Sequence, residues 1–417
     1  MSPLFGPILA QIVTLGVADR TEARYVVSDD KYTEAVTAPR VGLNAGWHHG
    51  TLTLGYGPAV TVTPLGSDSR QVLVLHSAAL AASYRSGRTL VTLSETATYG
   101  RVNLRAQALG DPGVTSVPST PTGTPPGGMT PAGGTATPPS PGGGTTTPVT
   151  TPNPANQIRA SNQAIPIASS ATDLSVANNV SQILTLGAGI GYSISGSVGA
   201  DASRDYPVVR GPRAQVSATY HPTRHDDVTT TISTQLASSR VGSSWILQGN
   251  ETWAHTLDRH AATTLGAGLS ITRTSLPNGL VTYAIYPNFS SGIGYTAPLA
   301  RGVFGAGVSA SAAPAIDPVR AAVDPRLRLG ASLGWTKDRF TSSLAGGSAL
   351  SLTSQDKAGA LNSVSGAFGV SYRLVDALSV DSGVRGFWQS FEGRTTVTPT
   401  YAAFVGVTFG VQSALNH

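Results

Sequence analysis

Two groups of side chains in this sequence have the types that acid–base or metal chemistry uses. His221, His225, Asp226 and Asp227 crowd one short stretch, and His48 and His49 are adjacent. A catalytic or metal site needs several such groups converging on one point. Adjacent residues on an extended strand point to opposite faces, so His48 and His49 do not share an ion. His221 and His225 flank the polar turn Pro222-Thr223-Arg224, where no nucleophile, base and orienting group come together. Gly187-Ala188-Gly189-Ile190-Gly191 is glycine-rich but has no helix behind it, so it is not a nucleotide loop. Cysteine is absent, which removes disulfides and thiolate ligands. The reading is therefore of a chain with no catalytic, cofactor or metal site, and the chemistry left to explain is that of its arginines.

Those arginines take their meaning from the strands that carry them. From Arg326 to Thr336, Leu327, Leu329, Ala331, Leu333 and Trp335 alternate with Arg326, Arg328, Gly330, Ser332, Gly334 and Thr336. That is a strand with one apolar and one polar face. Lys337-Asp338-Arg339 then turns the chain into a second strand from Phe340 to Thr353, completing a hairpin.

A soluble sheet on a core would alternate in the same way. What favours a membrane is an aromatic residue recurring at the end of every second strand: Trp47, Tyr84, Tyr192, Tyr220, Trp253, Tyr295, Trp335 and Tyr372. Tyr and Trp concentrate at headgroup depth in transmembrane barrels. Composition agrees. Mean hydropathy is +0.03 and only 12% of residues are charged, as expected when hydrophobicity is hidden in alternation. No stretch offers the roughly 18 uninterrupted apolar residues of a transmembrane helix.

The chain reads as about eighteen strands. The first runs from Glu22 to Asp29 and the fifth from Arg88 to Arg105; Val180 to Ile194 and Gly196 to Asp205 follow, and Thr398 to Gln412 is the last. Links after even strands are tight, as at His48–Gly50, Arg85–Gly87 and Ser193–Ser195, and links after odd strands are longer. Short turns on one side and loops on the other match the periplasmic and extracellular sides of an all-β, antiparallel up-and-down transmembrane barrel.

Two segments stand outside this rhythm. Residues 1–18 include the apolar run Leu4 to Leu15 followed by Gly16-Val17-Ala18, which resembles the end of an export signal without its positive n-region. The segment is either a signal remnant whose start lies upstream or a periplasmic lead-in. Residues 106–162, rich in Pro, Gly, Thr and Ser, interrupt the single barrel of 19–417. Too few apolar groups stand there to repay ordering, so a disordered extracellular loop is expected, with a lid or plug as the alternative.

By these features the chain resembles bacterial outer-membrane β-barrels. Tyr401, Ala403, Val405, Val407, Phe409 and Val411 alternate outward in the last strand, similar to the C-terminal signal of that class, although eight residues follow Phe409. Within the class it looks most like the large barrels associated with exopolysaccharide secretion in soil bacteria. The resemblance implies an outer-membrane location, a lipid environment, no nucleic-acid partner and, for export, periplasmic components.

Parity then sends Arg213, Arg326, Arg328, Arg373 and Arg385 into or beside the lumen, with Asp381 the one acid clearly among them. Three functions fit: a porin-like channel for hydrophilic solutes, anionic by this lining; a conduit for a secreted polysaccharide; or a structural or adhesive barrel whose extracellular loop is the working part.

Overall fold

The computed structural model describes residues 12–28, 31–63, 71–103, 164–199, 207–299, 302–316, 322–352, 361–391 and 399–415. Nineteen strand segments form one sheet: β1 (Ile12–Val27), β2 (Lys31–Thr37), β3 (Arg40–Trp47), β4 (Gly50–Thr63), β5 (Gln71–Ser86), β6 (Thr89–Asn103), β7 (Ala164–Asn179), β8 (Leu184–Ser197), β9 (Val209–Tyr220), β10 (Asp226–Ser239), β11 (Gly242–Thr256), β12 (Ala261–Ser275), β13 (Val281–Leu299), β14 (Gly302–Ile316), β15 (Val323–Lys337), β16 (Phe340–Ser351), β17 (Leu361–Val375), β18 (Leu378–Phe391) and β19 (Thr400–Leu415).

β2 and β3 are one strand interrupted at Ala38-Pro39, since both pair with β1 and with β4. Proline has no amide hydrogen to give the ladder and breaks it there. The sheet therefore has eighteen positions, as the alternation predicts. Each strand is antiparallel to the next, and β1 closes the ring by pairing with β19 from Val13↔Leu415 to Val27↔Tyr401. A closed ring leaves no unpaired edge, which is what a sheet in hydrocarbon requires.

The count agrees with the sequence reading, but two of its strands do not. β7 is not apparent in the alternation. Its long-loop half puts Ile165 and Ile167 inward and Pro166, Ala168 and Ser170 outward, the reverse of the pattern elsewhere. Gly196 and Ser197, expected to begin a strand to Asp205, instead end β8, and Ser193–Ser195 lies within β8, not in a turn. β1 also begins ten positions before Glu22, so Ile12 to Ala18 form barrel wall, paired with β3 and β19. The 106–162 stretch lies outside the described residues.

On the short-turn side, β3 joins β4 through His48-His49, β5 joins β6 through Gly87-Arg88, β15 joins β16 through Asp338-Arg339 and β17 joins β18 through Asp376-Ala377. Gly87 at φ 56° and Asp338 at φ 50° take the left-handed conformation such two-residue turns demand. On the other side, Arg240-Val241 is as tight and only residues 28–30 join β1 to β2, so the long-loop rule has two exceptions there.

Face assignment follows the alternation. Leu329 and Leu333 are 44% and 46% exposed on the outside, with Val384, Val405, Phe409 and Ile293. The partners in alternation, Arg326, Arg328, Ser332, Arg385 and Phe404, face the lumen.

Candidate functional site in the barrel lumen

The outer wall carries two aromatic belts, not one. Trp47, Tyr84, Tyr220, Trp253, Tyr295, Trp335 and Tyr372 lie within four positions of the short-turn ends of their strands. Tyr25, Tyr99, Tyr192, Tyr283, Trp388 and Tyr401 lie within five positions of the opposite ends. Tyr192 therefore belongs to the second belt: β8 starts from the short turn before Leu184, and Ser193–Ser195, the tight link expected beside Tyr192, is strand running on toward the long-loop side. Between the belts the outward residues are mostly aliphatic, Leu, Ile and Val with Ala and Gly. Barrels that cross an outer membrane are flanked by such girdles at both interfaces.

An eighteen-stranded ring is too wide for its own side chains to fill. Its inner wall divides by chemistry. From β10 to β14 the described inward residues away from the strand ends are uncharged, with Thr231, Ser233, Gln248, Asn250, Ser270 and Asn288 prominent. Asn288 donates to Asn250 Oδ1 at 3.0 Å and accepts from Ser270 Oγ at 2.9 Å.

From β15 through β19 to β3 the wall is charged. Glu22 is the centre: its side chain is fully buried, and its Oε1 accepts from Arg24 Nε at 2.6 Å and from Arg385 NH1 at 3.1 Å. Arg20 NH2 lies 3.3 Å from Glu22 Oε2, and Arg24 NH1 reaches Glu34 Oε1 at 3.1 Å. The Arg385 guanidinium also sits 4.1 Å from the centroid of the Phe404 ring, a favourable cation–π approach.

The six residues marked as pore-lining by sequence all face inward, but their surroundings differ. Arg213 is held on both its Nε and NH2 by the carboxylate of Asp173, on the far wall. Arg326, 3% exposed, donates from Nε to Asp324 Oδ2 at 2.8 Å, and Asp324 Oδ1 accepts from Ser351 Oγ at 2.6 Å. Arg385 takes Glu22 as its carboxylate. Asp381, the one acid that parity places among the arginines, accepts from Thr408 Oγ1 at 2.8 Å. Arg328, exposed to the lumen, and Arg373, at the short-turn rim, have no carboxylate partner among the described residues.

The sequence reading missed Arg20, Glu22, Arg24 and Glu34. The signal was present: Arg20, Glu22 and Arg24 recur at period two in β1 and must share a face. Taking the first strand from Glu22 hid it.

The wall also differs along the barrel axis. Toward the long loops its inward side chains are packed, including Val26, Leu73, Leu75, Val102, Ile165, Asn288 and Gln389. Toward the short turns Ser94, Ser343 and Ala345 are exposed to the lumen. Among the described residues, the wall is thus the more open toward the short turns.

The histidines first considered for chemistry stand at the short-turn rim. His221 Nδ1 faces Asp227 Oδ1, while Asp226 gathers His255 Nδ1 at 2.7 Å, Trp253 Nε1 at 2.9 Å and Thr223 Oγ1 at 2.6 Å. These donors, with Thr223 first, hold the Asp226 carboxyl below its ordinary pKa. The group ties the β9–β10 turn to Trp253 of the girdle. His225 contributes a backbone amide to Thr223, and His48 packs edge-on to His49 at 4.3 Å.

A closed, girdled barrel with a polar lumen defines an outer-membrane β-barrel protein, and the bacterial outer membrane is its location. The chain belongs to the EpsX exopolysaccharide export family, whose model matches residues 8–414. No curated protein matches the sequence. Solved structures similar in fold include the outer membrane protein OpdK from Pseudomonas aeruginosa, with a TM-score of 0.48 at 10% identity over 96% of this chain and 99% of that one. OccAB4 from Acinetobacter baumannii has a TM-score of 0.46 at 9% identity over 98% and 100%. The FrpB iron transporter from Neisseria meningitidis has 0.48 at 10% identity over 90% and 62%.

Proposed function

We propose that this barrel is the outer-membrane conduit through which a hydrophilic, anionic polysaccharide leaves the cell. The observation that carries the reading is the charge of the lumen wall. Among the described inward residues, Arg20, Arg24, Arg40, Arg85, Arg213, Arg326, Arg328, Arg373 and Arg385 oppose Glu22, Glu34, Asp173, Asp227, Asp324 and Asp381. Arg85, Arg328 and Arg373 are the members of that set with no carboxylate partner among the described residues. A low-dielectric wall focuses such a field across the passage, favouring anions over cations. The hydroxyls and amides of β10–β14 face it, offering a polyhydroxylated chain exchangeable hydrogen bonds.

Membership in an export family supports polymer over small solute, and the opening toward the short turns suits entry from the periplasm, where export components would deliver the chain. No chemical step belongs to this reading; the His–Asp pairs serve the rim. Cells lacking the protein should lose surface polysaccharide while their periplasm accumulates it. Normal surface polysaccharide in such cells, with a pore still measurable in bilayers, would make the protein a general solute channel.

A further inference from the structure

Among the described residues, Glu95 marks a place on the outer wall that lipid alone does not suit. Glu95 is the seventh residue of β6 and faces outward with Leu93 and Tyr99, beside Leu80 of β5 and Thr172 of β7. It is exposed and has no hydrogen-bond or ion-pair partner among the described residues. Two other outward carboxylates stand away from strand ends, one hydrogen-bonded and one nearer the rim. Asp19 accepts from Thr37 Oγ1 at 3.1 Å, and Glu251 stands on the same face as Trp253, at the girdle.

Glu95 also edges a depression of about 410 Å³ in the outer wall of β3–β6, bounded by Val41, Leu43, Leu54 and Tyr56 and floored by Ala78 and Ala97. Acyl chains fill a concavity of this kind but bring no donor to a carboxyl group, and charged or polar groups inside a bilayer mark functional contacts.

We propose that this face docks a membrane-embedded segment of another protein, one that carries a basic side chain at mid-bilayer depth. Charge complementarity selects that occupant over a second copy of this chain. The outward Lys and Arg of the described strands, Lys31, Arg101, Arg210, Arg273 and Lys337, all stand within three residues of a strand end. A second barrel at the same depth in the bilayer therefore brings no cation to the level of Glu95. The proposal rests on the barrel's orientation in the membrane and not on the solute it passes.

The test uses full-length protein in phosphatidylcholine vesicles with a leucine-rich transmembrane helix bearing one central Lys, and a control helix with Leu in its place. Energy transfer should show the Lys helix bound about tenfold more tightly than the control, close to 1.4 kcal/mol. Glu95→Gln should abolish that difference, and Glu251→Gln should leave it. Ala97→Phe, which fills the depression and keeps the carboxylate, should weaken binding of the Lys helix. Heat-modifiable gel migration confirms that each variant is folded. Equal binding of the two helices, or a preference that survives Glu95→Gln, overturns the proposal. So does copy-to-copy energy transfer that Glu95→Gln removes, which would assign the face to a second barrel.

Discussion

Arg385 on β18 reaches across β19 to place its NH1 3.1 Å from Oε1 of Glu22 on β1. One ion pair thus spans the seam where the last strand meets the first. Because Glu22 also takes Arg24 and Arg20, a single carboxylate gathers three guanidinium groups at the point where the ring closes.

The two partners should not be equivalent when removed. Glu22→Gln leaves Arg20, Arg24 and Arg385 crowded with one fewer negative charge. It should destabilise the barrel by about 3–5 kcal/mol, the usual cost of stranding buried charge. Arg385→Gln leaves Glu22 with two other arginines and should cost only about 1–3 kcal/mol. The temperature at which gel migration shifts, or urea unfolding in detergent, measures both. Equal losses would mean that the cluster does not act through Glu22.

The two faces of β15 should respond in opposite ways to charge. Leu329→Arg or Leu333→Arg should destabilise by about 2–4 kcal/mol, the penalty for arginine facing mid-membrane lipid, while Ser332→Arg should be far milder. Val370 and Val384 belong with the leucines by parity. Gly383 does not make a mild partner for them, although it faces inward. A Cβ there would stand 2.9 Å from the Phe404 ring and against the Phe368 carbonyl, so any side chain disturbs the wall. Equal penalties at Leu333 and Ser332 in refolding titrations would reverse the face assignment.

The fold was legible because period-two alternation and turn spacing are local signals, and Arg326 to Lys337 carries both in full. β7 was not legible, because its outward Pro166, Ala168 and Ser170 give no apolar stripe and its isoleucines point inward. The lumen was half legible. Parity orders the faces that carry Arg328 and Arg385, but which acid meets which arginine depends on ring closure. Glu22 and Arg385 are 363 residues apart in sequence, and no local pattern joins them.

Removing Gly110 to Pro154 should leave insertion intact. The expectation rests on composition, since so Pro- and Gly-rich a segment offers few apolar groups to bury. Heat-modifiable migration of the deleted protein, followed by conductance in a planar bilayer, reports on both assembly and passage. Conductance should rise if the segment enters the lumen and stay level if it lies outside. Failure to insert would make the segment structural.

The charge of the lumen is the claim on which the export reading depends, and reversal potential across a potassium chloride gradient tests it most directly. The reconstituted barrel should prefer chloride. Arg328→Gln with Arg373→Gln should reduce that preference more than Arg213→Gln does, since Asp173 already pairs Arg213. Raising the salt should weaken the preference as the Debye length falls below about 8 Å. A potassium-selective pore, or a chloride preference untouched by losing both Arg328 and Arg373, would contradict the account.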